Sequence, residues 1–132
     1  MSTCKFILID DDSLSNLISR HIIERIAGKI DIQVFGNGQA GLSYIESHYS
    51  PENLPRTKIF LDINMPVMTG WEFLDRFDAL SADIKDCMEI YVLTSSLHWG
   101  DKERSGENKN VKDHLVKPLT TEFIKILVED RK

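Results

Sequence analysis

The sequence predicts an α/β domain: a parallel sheet with helices on both faces. Three observations carry the prediction. Short apolar runs alternate with amphipathic stretches five times along the chain. The runs are continuous, as in Phe6-Ile7-Leu8-Ile9, which suits strands buried on both sides. No Pro/Gly/Ser linker, internal repeat or low-complexity tract interrupts the pattern. Strands that alternate with helices build βα units, and βα units build parallel sheets.

The elements follow in order. Lys5–Ile9 is the first strand, stopped by Asp10-Asp11-Asp12. Leu14, Leu17, Ile18, Ile22 and Ile26 recur at helical spacing, so a first helix is expected to turn this stripe to the core. Gly28 stands where a C′ glycine would end that helix. Ile32–Phe35 is a short second strand, and Gly36-Asn37-Gly38 opens a loop. Leu42, Ile45 and Tyr49 mark a second helix, and residues 50–55 a loop with two prolines. Residues 58–61 form the third strand, ending on Asp62, and Trp71, Phe73, Leu74, Phe77 and Leu80 mark the third helix. Residues 88–93 form the fourth strand, ending on Thr94. Residues 97–111 hold two glycines, many charges and no apolar stripe, so only a short or frayed fourth helix is expected there. Residues 114–116 form a short fifth strand ending on Lys117, and Thr120 caps a last helix carrying Phe123, Ile124, Leu127 and Val128.

Composition narrows the function. At 132 residues the chain is expected to be one domain, 1–132, with no second unit. Hydrophobic residues at 42% and charged ones at 28% mark a globular chain rather than a disordered one. A net charge of −5 argues against a basic nucleic-acid face and against a polybasic membrane anchor. No apolar run approaches the ~20 residues of a membrane span, and the N-terminus meets acid too soon for a signal peptide. Cys4 and Cys87 form no motif, which fits a reducing cytoplasm. The histidines His21, His48, His98 and His114 show no metal-ligand spacing, so no zinc site is expected.

The polar groups gather at one place in the pattern. Ligands of open parallel sheets bind beyond the carboxyl ends of the strands. Those ends carry Asp10-Asp11-Asp12, Asp62, Thr94-Ser95-Ser96 and Lys117. With strands one, three, four and five adjacent, carboxylates, a hydroxyl and an ammonium would share one pocket. Carboxylates held a few ångströms apart repel each other, and a hard divalent cation removes the conflict. Mg²⁺ prefers oxygen ligands and keeps several waters, which suits such an edge. Beside the metal, an aspartate can attack phosphorus and become an acyl phosphate.

These residues resemble the receiver domain of two-component response regulators. The resemblance covers essentially the whole chain. It rests on ILIDDDS, IFLDINMPVMTGWEFL, IYVLTSS and HLVKPLT, in family order and at family-like separations. It implies a flavodoxin-like, doubly wound (βα)5 fold with a five-stranded parallel sheet in the order 2-1-3-4-5. It implies Asp62 as phospho-acceptor. Asp11 would be a direct metal ligand and Asp10 one acting through water, with Asn64 binding the metal by its backbone carbonyl. Thr94 would turn its hydroxyl to the phosphoryl group, and Lys117 would pair with a phosphoryl oxygen. Lys117–Pro118 matches a peptide bond that is often cis in the family. Met65-Pro66 and Gly70 match the loop that shapes the site. The implied partners are a histidine kinase or a histidine-phosphotransfer protein, and a separate downstream target reached through the fourth helix, fifth strand and fifth helix. Mg²⁺ is the implied cofactor. The domain would catalyse its own phosphorylation and dephosphorylation and would otherwise not be an enzyme.

His114 departs from the family, which often places Tyr or Phe there as a switch. It reads either as a surface histidine on an edge strand or as a modified switch residue coupled to Thr94. Trp99 reads equally as a partner contact or as a residue folded onto the sheet. Two rival functions remain open. Asp10-Asp11-Asp12-Ser13-Leu14 also resembles the first motif of haloacid-dehalogenase-like phosphohydrolases, with Asp10 as nucleophile and Asp12 as acid. That family needs a further acidic motif, and the acids after Lys117 fall in or beyond the last helix. An unphosphorylated pseudo-receiver used as an interaction module is the other.

Overall fold

The structure is a computed structural model, and it describes residues 4–95, 103–104 and 106–130. Strands β1 (Lys5–Ile9), β2 (Ile32–Phe35), β3 (Thr57–Asp62), β4 (Met88–Thr94) and β5 (Val111–Val116) form one sheet. All pairs are parallel, in the order β2-β1-β3-β4-β5. The helices are α1 (Ser13–Ala27), α2 (Gly38–His48), α3 (Gly70–Asp78), α4 (Ala82–Asp86) and α5 (Thr121–Asp130). This is the doubly wound, flavodoxin-like fold that the sequence predicts.

Side-chain alternation along the strands makes two cores. Ile7, Ile9, Ile59, Leu61, Ile90 and Val92 meet Leu42 and Ile45 of α2, Phe73, Leu74 and Phe77 of α3 and Ile84 of α4. Phe6, Leu8, Phe60, Tyr91 and Leu93 meet Ile23 of α1 and Ile124 and Leu127 of α5. The second core is aromatic. Phe60 lies 5.5 Å from Tyr91, and Tyr91 5.4 Å from Phe123, centroid to centroid.

Local chemistry sets the ends of the elements. Asp12 caps α1, its carboxylate accepting the Leu14 and Ser15 N–H groups. Gly28 ends α1 at φ 75°, a conformation that favours glycine. Thr69 and Glu72 make a reciprocal capping box at α3. Gly70 must be glycine for a steric reason: a Cβ there would lie 2.7 Å from Ile63 Cα and 2.8 Å from Asp62 O.

Several expectations are corrected. Only the C-terminal half of the α1 stripe faces the core. Leu14, Leu17 and Ile18 point outward at 61%, 63% and 44% exposure. Asn16 and Ser19 take the buried positions that line up with Ile23. Tyr49 is the C-cap of α2, not part of it. The short helix α4 was not expected, because Ile84 is its single buried residue and leaves no periodic stripe. Strand β5 begins at Val111, because a register shift against Ile90/Tyr91 absorbs Lys112 and brings Asp113 opposite Tyr91. In the polar β4–β5 connection, Glu103–Arg104 and Gly106–Glu107 are helical. Ser96, Leu97, His98 and Trp99 lie outside the described residues. Among the described residues, no helix is long and apolar enough to cross a membrane.

Candidate functional site

The parallel register sets β1, β3, β4 and β5 side by side, so their last residues open on one edge. Asp10 follows β1, Asp62 and Thr94 end β3 and β4, and Lys117 follows β5. Carboxylate oxygens of Asp10, Asp11 and Asp62 lie within 4.8 Å of one another. Asp10 and Asp62 are buried and Asp11 is exposed, so the cluster opens to solvent on one side. Lys117 closes the other side. Its Nζ lies 2.6 Å from Asp10 Oδ2 and 3.6 Å from Asp62 Oδ2.

Backbone groups fix the carboxylates. The Asp12 N–H donates to Asp10 Oδ1 at 2.9 Å, and the Asn64 N–H to Asp62 Oδ1 at 3.2 Å. The loop after Asp62 is knotted tightly. Met65 N–H and Gly70 N–H both donate to the Ile63 carbonyl. Val67 then sits at φ 67°, fully exposed, with Met68 N–H closing on the Pro66 carbonyl at 2.8 Å. The Lys117 N–H donates to the Thr94 carbonyl at 2.8 Å, which ties the ends of β4 and β5 together. The Lys117–Pro118 bond is cis.

The carboxylates divide unequally. Burial pushes Asp10 upward, but the Lys117 ammonium and the Asp12 N–H outweigh it and hold this carboxyl below its ordinary value. Burial, joined by the charge of Asp10, pushes Asp62 up to about 7. Burial acts to lower Lys117, and the facing carboxylates raise it above its ordinary value. The pocket therefore keeps a charged Asp10–Lys117 pair and leaves the repulsion on Asp62. A cation placed here would return Asp62 to its ionised form. An all-oxygen donor set, partly open to water, fits Mg²⁺ better than a soft metal.

The structure thus brings Asp10, Asp11, Asp62 and Lys117 together. Asn64 is exposed in the loop and engages Asp62 through its N–H. Thr94 is fully buried at the end of β4. His114 pairs with Val92, in the strand that leads to Lys117. It is half-buried with Nε2 shut off from solvent, so it is no simple surface histidine. Asp12 is spent on capping α1. The sequence reading missed Asn16, whose Nδ2 donates to the Asp10 carbonyl at 2.8 Å. The available signal was a polar residue three and seven positions before Ser19 and Ile23, on the stripe that faces the sheet.

A doubly wound sheet with an acidic, lysine-closed pocket beyond its strand ends belongs to the α/β class that binds ligands at that edge. The chain belongs to the response regulator receiver domain family, which it matches over residues 6–129. It is 28% identical over 127 residues to the probable methanogenesis regulatory protein FilR2 of Methanothrix harundinacea, spanning 96% of this chain and 79% of that protein. A two-component response regulator from Cytophaga hutchinsonii superposes with a TM-score of 0.83 at 28% identity, covering 98% of this chain and 99% of that one. A response regulator receiver protein from Dyadobacter fermentans superposes with a TM-score of 0.86 at 20% identity, covering 97% of each chain, and shows the same fold. The protein is therefore a receiver domain of two-component signalling. Receivers work with histidine kinases or phosphotransfer proteins and with downstream targets, and they are generally not classical enzymes.

Proposed function

We propose that Asp62 accepts a phosphoryl group from a phosphohistidine protein, and that Asp10, Asp11, Asp62 and the Asn64 carbonyl hold the Mg²⁺ this transfer requires. One observation carries the reading: three carboxylates within 4.8 Å, with Lys117 reaching two of them. When bound, Mg²⁺ would neutralise charge on the carboxylates and on the transferring phosphoryl oxygens. A carboxylate oxygen of Asp62 attacks phosphorus, the P–N bond to the donor imidazole breaks, and the imidazole leaves with the bond pair and takes up a proton. Lys117 offers its ammonium to a phosphoryl oxygen. Asp10 keeps Lys117 charged and aimed at the site.

The surroundings support a protein donor. Leu14 and Ile18 on α1 and Pro118 and Leu119 after β5 line a groove of about 240 Å³ that opens beside Lys117. Val67, in the loop that follows Asp62, stands fully exposed. A histidine kinase or phosphotransfer protein would cover these apolar groups as it brings its imidazole to Asp62. Thr94 and His114 are the switch. A new dianion draws the Thr94 hydroxyl, and His114 repacks in the space that opens. The readout surface is the β4–β5 connection, β5 and α5, which a downstream target would read. The domain's only catalysis would be on its own aspartyl phosphate.

The hydrolase alternative fits less well, because Asp12, its required acid, is held at the α1 N-cap. Intact mass after incubation with a small acyl-phosphate donor tests the reading. The expected result is one added phosphoryl group that requires both Mg²⁺ and Asp62. An Asp62→Asn variant that still gains the group would overturn it. No gain in the wild type, with Mg²⁺ binding shown, would favour an unphosphorylated interaction module.

A further inference from the structure

The site end of α1 is inside out. Its exposed positions carry Leu14 and Leu17, while Asn16 and Ser19, at 7% exposure each, face the sheet. Asparagine is a poor helix former, and burying its amide is costly unless hydrogen bonds compensate. The compensation here is specific. Asn16 Nδ2 donates to the Asp10 carbonyl at 2.8 Å, from six residues along the chain. That carbonyl lies in the rigid peptide plane joining Asp10 to Asp11. The same plane therefore sets the directions in which both side chains leave the backbone. The rest of Asp10 is tied elsewhere. Its N–H donates to the Phe35 carbonyl at 3.1 Å, and its carboxylate takes the Asp12 N–H and Lys117. Asn16 itself is locked into α1 by its own N–H, which donates to the Asp12 carbonyl at 3.1 Å.

We propose that Asn16 is a positioning residue: by holding the Asp10–Asp11 peptide plane it fixes the angle between the two carboxylates and so sets the affinity of the site for Mg²⁺. The proposal rests on the reading of Asp10 and Asp11 as metal ligands. It explains why α1 gives an inward position, on the stripe that carries Ile23, to an amide. Groups that orient metal ligands commonly contribute about 10- to 100-fold to metal affinity.

The test compares wild type with Asn16→Leu, which keeps the size of the side chain and loses the donor. Three readouts are taken: Mg²⁺ affinity by calorimetric titration, the backbone order parameter of the Asp11 amide in metal-free protein, and phosphoryl uptake at saturating Mg²⁺. The expected result is Mg²⁺ binding weakened about tenfold, a lower Asp11 order parameter, and uptake at saturating metal restored to the wild-type yield. Mg²⁺ affinity within twofold of wild type in a folded Asn16→Leu protein would overturn the proposal. So would a fall in thermal midpoint alone, since that is all a merely structural role would produce. If Asn16→Leu does not fold, Asn16→Ser, too short to reach the carbonyl, is judged by the same criteria. Should the wild type bind no Mg²⁺, the metal-site reading fails, and the order parameter, read without metal, still decides whether Asn16 holds the peptide.

Discussion

Asp62 carries a proton more readily than a free aspartate because it is buried beside Asp10. Its folded-state pKa is raised from 3.8 to about 7. A carboxyl raised in the folded state favours folding at low pH, and that contribution is lost as pH rises through the folded value. Metal-free protein is therefore expected to lose stability between about pH 4 and pH 7 as Asp62 ionises. Asp62→Asn should flatten that slope and gain on the order of 2 kcal/mol at pH 8. Urea melts across pH in the presence of a chelator would show this, and an unchanged slope in the variant would assign the titration elsewhere. Lys117→Ala should impair phosphoryl uptake more than Mg²⁺ binding, and equal losses in the two assays would make Lys117 a support of the metal site. Val67 at φ 67° is a β-branched residue in a region that glycine occupies freely. Relief of that strain, less the entropy that glycine adds to the unfolded chain, should make Val67→Gly about 1 kcal/mol more stable. A denaturant melt showing a loss would mean that the loop holds Val67 by contacts outside the turn.

At the scale of elements, the far end of the sheet is stitched by charge. Lys58 of β3 and Lys112 of β5 both pair with Glu89 of β4, which also accepts the Tyr91 hydroxyl. Burial acts to raise Glu89, but the two lysines outweigh it and hold its carboxyl down to about 2. A depressed carboxyl gives stability that is complete above its unfolded value of 4.5 and is lost as pH falls toward 2. Glu89→Gln should cost about 2 kcal/mol at pH 7, less than removing one partner of a fully buried pair because Lys112 is exposed. The deficit should shrink as pH falls below 4.5 and be nearly gone by about pH 2, and a deficit of the same size at pH 2 would point to packing rather than charge. Among the described residues, polar groups tie the β4–β5 connection to α3. Arg104 lies over the Trp71 ring at 4.4 Å, and Asn110 Nδ2 donates to Asp78 Oδ1 at 3.0 Å. Arg104→Ala should leave stability within about 0.5 kcal/mol and shift Trp71 emission to the red. An unshifted spectrum would mean that Trp71 is shielded by other groups.

Over the whole molecule, a ligand that binds only the folded state stabilises it by mass action. Mg²⁺ at a hundred times its dissociation constant should add about 2.7 kcal/mol, read as a thermal midpoint that falls roughly 10 °C when a chelator is added. The same experiment on Asp11→Ala should show little shift if Asp11 is a ligand. Much of this protein was legible in its sequence. Continuous runs such as Phe6-Ile7-Leu8-Ile9 mark buried strands because both faces of a parallel sheet are covered, and each strand's last residue lies at the ligand-binding edge by chain direction alone. Asp10, Asp62, Thr94 and Lys117 are therefore legible as edge residues in the sequence. Hydrophobic periodicity misplaced the outer half of α1, since it treats an apolar residue as buried and an Asn as exposed. Leu14 and Leu17 face outward and Asn16 inward because the Asp10 carbonyl, in the loop before α1, takes a donor from the helix, which no period records. The additional helix α4 and the bulge at Lys112 were likewise hidden, being settled by a single buried Ile84 and by a pairing between strands far apart in the chain. Sequence by itself determined the layers, the strand ends and the chemistry of the edge, because these follow from local pattern and chain direction. Tertiary structure alone decided the distances among the carboxylates, which of them carries the proton and which buried amide holds their backbone, because those depend on groups that meet only after the strands have paired.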